Sequence, residues 1–130
     1  MKEAPVKSPI RILLVDDSPY FLAAARDFLQ LQQNLNVVGV AGEPQGMLTQ
    51  IRQADPDVIL LDVNVGNHNG LELIPGIKEA APRAKIVILT ILEEEPYRAA
   101  ALQAGADAFV RKTEMSRQLV SVIAELSAAA

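Results

Sequence analysis

The chain has 130 residues, half of them hydrophobic and 22% charged, with a formal net charge of −4, one histidine and no cysteine. This is the composition of one globular domain, and it excludes disulfides, thiolate metal sites, cysteine nucleophiles and multi-histidine centres, while the acidic balance argues against direct nucleic-acid binding. No apolar run reaches the ~20 residues of a membrane span and Met1 to Pro9 holds no apolar signal core, so the expectation is a cytoplasmic protein with no membrane partner.

Residues 1–8 read as a flexible N-terminal tail, 9–127 as the folded domain and 128–130 as a C-terminal tail. Ile10 to Val15 is an apolar run broken by Arg11, and it reads as a first strand. Ser18 then suits an N-cap and Pro19 a first helical position, with Phe21, Ala25, Phe28 and Leu29 at helical spacing behind them. Val37 to Ala41 is a second strand, and Met47, Leu48 and Ile51 mark a short second helix. Val58 to Leu61 is a third strand. Leu71, Leu73, Ile74 and Ile77 outline a third helix, but Pro75 and Gly76 fall inside the pattern, so this helix starts late or is kinked. Ile86 to Leu89 is a fourth strand, and Pro96 opens a fourth helix toward Ala104, with Glu93 to Glu95 complementing its dipole. Ala108 to Val110 is a fifth strand, and Met115, Leu119, Val122, Ile123 and Leu126 form the apolar stripe of a last helix.

The strands are continuously apolar rather than alternating, which is the pattern of a parallel sheet buried on both faces. Five strand–helix units joined by right-handed crossovers predict an α/β fold, a flavodoxin-like (βα)5 doubly wound sheet, with the strand order 2-1-3-4-5 taken by analogy.

In such sheets ligands bind at the carboxyl ends of the strands. Asp16 and Asp17 follow the first strand, Asp62 the third, Thr90 ends the fourth, and Arg111 and Lys112 follow the fifth. Any one of these is commonly a cap, a turn residue or a solvated surface group. Their force is joint, because the strand order brings all of them to one crevice. Three carboxylates held close repel one another and resist desolvation, and a hard divalent cation such as Mg²⁺ relieves both. A cation among carboxylates with a lysine and a hydroxyl opposite suits phosphoryl transfer onto a carboxylate nucleophile.

The segments IRILLVDDSP (10–19), DVILLD (57–62) followed by GLEL (70–73), IVILT (86–90) and AGADAFVRK (104–112) together resemble the response-regulator receiver domains of two-component phosphorelays. The resemblance runs from about Ile10 to Leu126, and NVVGVAG (36–42) is similar to receivers that precede a helix-turn-helix output domain. It implies that Asp62 accepts a phosphoryl group from a sensor histidine kinase or a histidine phosphotransfer protein. It implies Mg²⁺ bound by Asp17 directly, by Asp16 partly through water, by Asp62, and by the backbone carbonyl of Asn64. Thr90 and Lys112 would each meet a phosphoryl oxygen. Phe109 would be the switch aromatic, turning inward as Thr90 moves, and it also reads as a core or groove aromatic. The surface of the fourth helix, fifth strand and fifth helix would repack on signalling and serve a homodimer or a target. Such a domain assists its own phosphorylation and dephosphorylation and is not an enzyme in the turnover sense.

Three positions depart from the family pattern. Gly66 stands where the loop usually carries Pro, which predicts a more flexible 66–70 loop; Ile91 stands where a small residue is usual, narrowing access to Asp62; and Thr113 stands where Pro follows Lys112 in a cis bond, leaving that bond's isomer open because a non-proline cis bond costs about 3–4 kcal/mol. The first two motivate an alternative, a phosphorylation-independent receiver acting as an interaction module. A flavodoxin-like cofactor binder lacks a phosphate loop, since Gly39, Gly42 and Gly46 do not match GxGxxG, and an aspartyl phosphatase often carries a cap domain for which 130 residues leave no room. His68 lies in a polar Gly/Asn loop and reads as a solvated histidine rather than a phosphoryl carrier or ligand.

Overall fold

The computed structural model describes residues 9–66, 68–91 and 95–128. The proposed tail 1–8, residues 129–130 and the acidic run at 93–94 lie outside the described residues, as does the side chain of Glu95.

Strands β1 (Ile10–Val15), β2 (Leu35–Ala41), β3 (Val58–Leu61), β6 (Lys85–Thr90) and β7 (Ala108–Arg111) form one sheet in the order β2-β1-β3-β6-β7, every pair parallel. With the two-residue strands β4 (Asn64–Val65) and β5 (His68–Asn69) set aside, this is the 2-1-3-4-5 order that the sequence predicts. Helices α1 (Pro19–Gln30), α2 (Met47–Ala54), α3 (Ile74–Ala80), α4 (Glu95–Ala104) and α5 (Val120–Ala128) connect or follow the strands.

Successive side chains of a strand point to opposite faces, so each apolar run feeds two cores. Leu13, Val15, Ile59, Leu61, Ile86 and Ile88 pack with Ile51 of α2, Ile74 and Ile77 of α3 and Ala101 of α4. Ile12, Leu14, Val58, Leu60, Val87 and Leu89 pack with Ala25 and Leu29 of α1, and with Leu119 and Ile123 near and within α5. Burial on both sides is why the runs carry no polar alternation. Among the described side chains of α4, Ala101 alone is buried.

Two helix starts follow local chemistry. Ser18 caps α1, its Oγ accepting the Phe21 N–H at 3.2 Å, with Pro19 in the first turn. Ser18→Ala is expected to destabilise the domain by about 1 kcal/mol, read as a lower urea midpoint at unchanged slope; a midpoint at or above wild type would show that the cap contributes nothing. The third helix does start late. Gly70–Leu73 forms a 3₁₀ turn, and α3 begins at Ile74 with Pro75 in its first turn, where a missing N–H is harmless.

The sequence reading differs from the structure at two further places. The 66–70 loop is not wholly irregular: β4 and β5 pair antiparallel, Asn64 with Asn69 and Val65 with His68, across the left-handed Gly66. The apolar stripe of the last helix starts within a π turn (Met115–Leu119) that follows a 3₁₀ turn (Lys112–Glu114), and only from Val120 is the helix regular.

Candidate functional site

Strand register brings the polar residues together. Val15 pairs with Leu61, Leu61 with Ile88, and Thr90 with Arg111. Asp16 and Asp62 are therefore each one step beyond a paired residue on adjacent strands, and the Asp62 N–H bonds to the Val15 carbonyl at 3.0 Å. Lys112 is likewise one step beyond the partner of Thr90.

Among the described residues, three polar or charged residues are buried: Asp16 at 3% exposure, Asp62 at 6% and Thr90 at 0%. All three sit at this one edge. Asp17 is exposed, and Asp16, Asp17 and Asp62 each offer a carboxylate oxygen within 4.8 Å of the others. The Lys112 Nζ lies 2.6 Å from Asp16 Oδ2 and 3.4 Å from Asp62 Oδ2, its side chain 12% exposed. It also lies 3.9 Å from the centre of the Phe21 ring. Asp16 Oδ1 accepts the Ser18 N–H at 2.9 Å, which ties the carboxylate to the cap of α1.

The Asp62 carboxyl is pushed above the ordinary aspartate range. Burial is the main cause and the neighbouring Asp16 charge the second; Lys112, the Asn64 N–H and the Thr90 hydroxyl oppose them. One ammonium does not balance three carboxylates. Asp16 Oδ2 is fully buried, and the Lys112 ammonium 2.6 Å away is its counter-charge. Surplus negative charge and three carboxylates offering oxygens within 4.8 Å of one another match the preferences of a hard divalent cation, so the residues present fit Mg²⁺.

The structure thus assembles Asp16, Asp17, Asp62, Thr90 and Lys112. Asn64 is exposed on β4 and turns its N–H to the Asp62 carboxylate. Phe109 stands apart from the cluster, buried at 8% in the core beneath α4, with the Arg98 guanidinium 5.9 Å from its ring centre. His68 is exposed on β5 and outside the carboxylate cluster. No cis peptide occurs among the described residues, so the Lys112–Thr113 bond is trans. Ile91 is 66% exposed.

Two contributors escape sequence reasoning. Phe21 reads as one member of a helical apolar stripe, and nothing in the sequence marks it as a neighbour of Lys112. Gly70 opens the GLEL segment and ends the 66–70 loop, and nothing in the sequence marks that it packs directly against the Asp62 backbone: a Cβ there would collide with the Asp62 carbonyl oxygen and lie 3.0 Å from the Asp62 carbonyl carbon.

Comparison with known proteins agrees with this geometry. The family model for the response regulator receiver domain matches residues 12–124. The uncharacterized transcriptional regulatory protein YxjL of Bacillus subtilis is 34% identical over 90% of this chain and 54% of its own length. The nitrate/nitrite response regulator NarL of Escherichia coli is 29% identical over 94% of this chain and 56% of its own. The chain spans about half the length of these curated relatives. A crystal structure of a LuxR-family two-component response regulator from Aurantimonas sp. superposes with a TM-score of 0.86 at 27% identity, covering 94% of this chain and 87% of that one. With residues 12–124 matched by the family model, the chain belongs to the response regulator receiver domain family.

Proposed function

We propose that this domain accepts a phosphoryl group on Asp62 from a phosphohistidine of a sensor histidine kinase or histidine phosphotransfer protein, in a Mg²⁺-dependent step. The observation that carries the reading is the buried Asp62 carboxylate, set between two further carboxylates and a lysine, with a buried hydroxyl bonded to it. An ionised Asp62 oxygen attacks phosphorus, the P–N bond breaks with its electron pair going to the donor imidazole, and an acyl phosphate forms. Mg²⁺, held by Asp16, Asp17, Asp62 and the Asn64 carbonyl, would neutralise phosphoryl oxygens when bound. Lys112 is already within 3.4 Å of Asp62 and needs only to loosen from Asp16 to reach a phosphoryl oxygen. The Thr90 hydroxyl, which bonds the carboxylate now, would turn its hydrogen to the new acceptor.

The added charge and acceptor oxygens draw Thr90 and Lys112 inward and bias the α4–β7–α5 surface between two arrangements. Phe109 lies on β7, in the same core as Ala101 of α4, and would carry that shift to a homodimer or target. The domain is a phosphoacceptor that assists its own modification and loss of it, rather than a turnover enzyme. We place it in the cytoplasm, in keeping with its lack of cysteine; among the described residues no helix is long and apolar enough to cross a membrane. Relatives named as transcriptional regulators support an output domain elsewhere that binds DNA, leaving no nucleic-acid role to this acidic domain. The phosphorylation-independent alternative loses part of its motive, because Ile91 stands largely in solvent rather than packed down on Asp62.

Incubation with Mg²⁺ and an acyl phosphate, followed by intact mass measurement, tests the reading. One added phosphoryl group is expected, and none when EDTA replaces the metal. No adduct, together with no Mg²⁺-dependent beryllofluoride complex, overturns it in favour of the interaction module.

A further inference from the structure

Lys112 reaches across the top of the sheet to α1, and what it meets there is not only charge. Its Nζ lies 3.9 Å from the centre of the Phe21 ring, against 2.6 Å from Asp16 Oδ2 and 3.4 Å from Asp62 Oδ2. An ammonium over an aromatic face within about 6 Å of its centre is attracted by the ring quadrupole, and more strongly where water is excluded. Water is largely excluded here, since the Lys112 side chain is 12% exposed. Phe21, Asp16 and Asp62 also border one water-sized space of about 10 Å³, so the ring is a wall of the site rather than a distant neighbour. Phe21 stands three residues after the Ser18 cap, and its own N–H is the one Ser18 accepts, while the Ser18 N–H holds Asp16. The ring and the carboxylate that share the ammonium are therefore fixed to the same cap.

We propose that Phe21 is a positioning residue for Lys112: its ring seats the ammonium beside Asp16 in the metal-free site, so that a divalent cation must displace Lys112 from a metal-ligand carboxylate in order to bind. The displacement rests on the Mg²⁺ reading of the site, whereas the seat does not. The ring biases the lysine toward Asp16 and away from the acceptor. It thereby weakens divalent-cation binding and holds the lysine until a metal or a phosphoryl group draws it over.

Two measurements on the intact chain test this separately. In proton–carbon NMR of the metal-free protein, the Lys112 methylene next to Nζ is expected to be shifted upfield by the ring in wild type and in Phe21→Tyr, and to return to the ordinary lysine position in Phe21→Leu. An ordinary position in wild type overturns the seat. Calorimetric titration with MgCl₂ is expected to show about 3- to 30-fold tighter binding for Phe21→Leu than for wild type, the span of a partly to fully desolvated cation–ring contact. Phe21→Tyr is expected to bind as wild type does. In a Lys112→Met background, Phe21→Leu is expected to change nothing. An equal effect of Phe21→Leu in both backgrounds, or no effect in either, overturns the displacement, because a merely structural role for the ring would not depend on the lysine. A wild type that shows the ring shift but binds no Mg²⁺ would overturn the metal reading and the displacement with it, while leaving the seat standing.

Discussion

Asp62→Asn is expected to take up no phosphoryl group under any condition that modifies the wild type, and at the same time to melt higher than wild type at neutral pH in metal-free buffer. Loss of uptake follows because an amide oxygen is no nucleophile toward phosphorus, and Asp62 is the carboxylate that both Lys112 and Thr90 contact. The gain in stability follows from the charge. Burial and Asp16 raise the Asp62 carboxyl in the folded chain, so the native state holds that proton more tightly than the unfolded chain does. The ionised form therefore weighs against folding at every pH above the raised value, and the penalty fades as pH falls through it toward the unfolded value of about 3.9. Asparagine keeps an oxygen for the Asn64 N–H and the Thr90 hydroxyl but carries no charge, and Lys112 keeps Asp16 as its partner. A gain of about 1 kcal/mol would read as about 3–5 °C in Tm for a domain of this size. The difference should shrink as the buffer is acidified. It should also shrink or reverse in Mg²⁺, because ligand at ten times Kd stabilises the wild type by about 1.4 kcal/mol. Thermal melts of both proteins at several pH values, with EDTA and with Mg²⁺, decide it. A variant that melts lower at neutral pH in EDTA would contradict the electrostatic reading, and an adduct on it would move the acceptor elsewhere.

Gly70→Ala is the second large effect. The new Cβ would collide with the Asp62 carbonyl oxygen and lie 3.0 Å from its carbon and 3.1 Å from the Val63 Cα, all of them backbone atoms that no rotamer change can remove. Either the 3₁₀ turn lifts off, straining the Gly70 N–H bond to the Val63 carbonyl, or the backbone that carries Asp62 shifts. Overpacking of this kind costs about 3 kcal/mol, and a displaced nucleophile slows the chemistry by up to about 100-fold. Urea unfolding and the rate of phosphoryl uptake read the two parts. Gly76→Ala is the control: its Cβ would meet the Leu48 side chain at 3.6 Å, an ordinary contact, inside a helix where Ala is preferred. If Gly70→Ala behaved like Gly76→Ala, the close approach would be of no consequence.

Why so much of this was legible from residues alone has a physical basis. A parallel sheet covered on both faces writes each strand as an unbroken apolar run, so Val58 to Leu61 and Ile86 to Leu89 stand out without any helical or alternating competitor. A buried strand must end where a polar residue is needed, so Asp16, Asp62 and Thr90 advertise themselves by interrupting those runs. The edges were blurred where polar residues belong to a strand: Leu35 and Asn36 open β2, and Lys85 opens β6, ahead of the runs that mark them. The β4–β5 pair was invisible because two residues on each side leave no periodicity to read. Phe21 was hidden for a different reason. Its partner lies on the far strand β7's exit, and a ring that faces an ammonium has the same helical spacing as one that faces leucines.

The footing of α4 on the sheet is slight, Ala101 alone among its described side chains being buried. Local opening draws its free energy from the apolar contacts it breaks, and here those are few, while the strands that hold the carboxylates lie in the two full cores. A partner that grips α4 then draws on a lightly anchored helix, and its affinity carries the cost of ordering one helix rather than of remodelling the sheet.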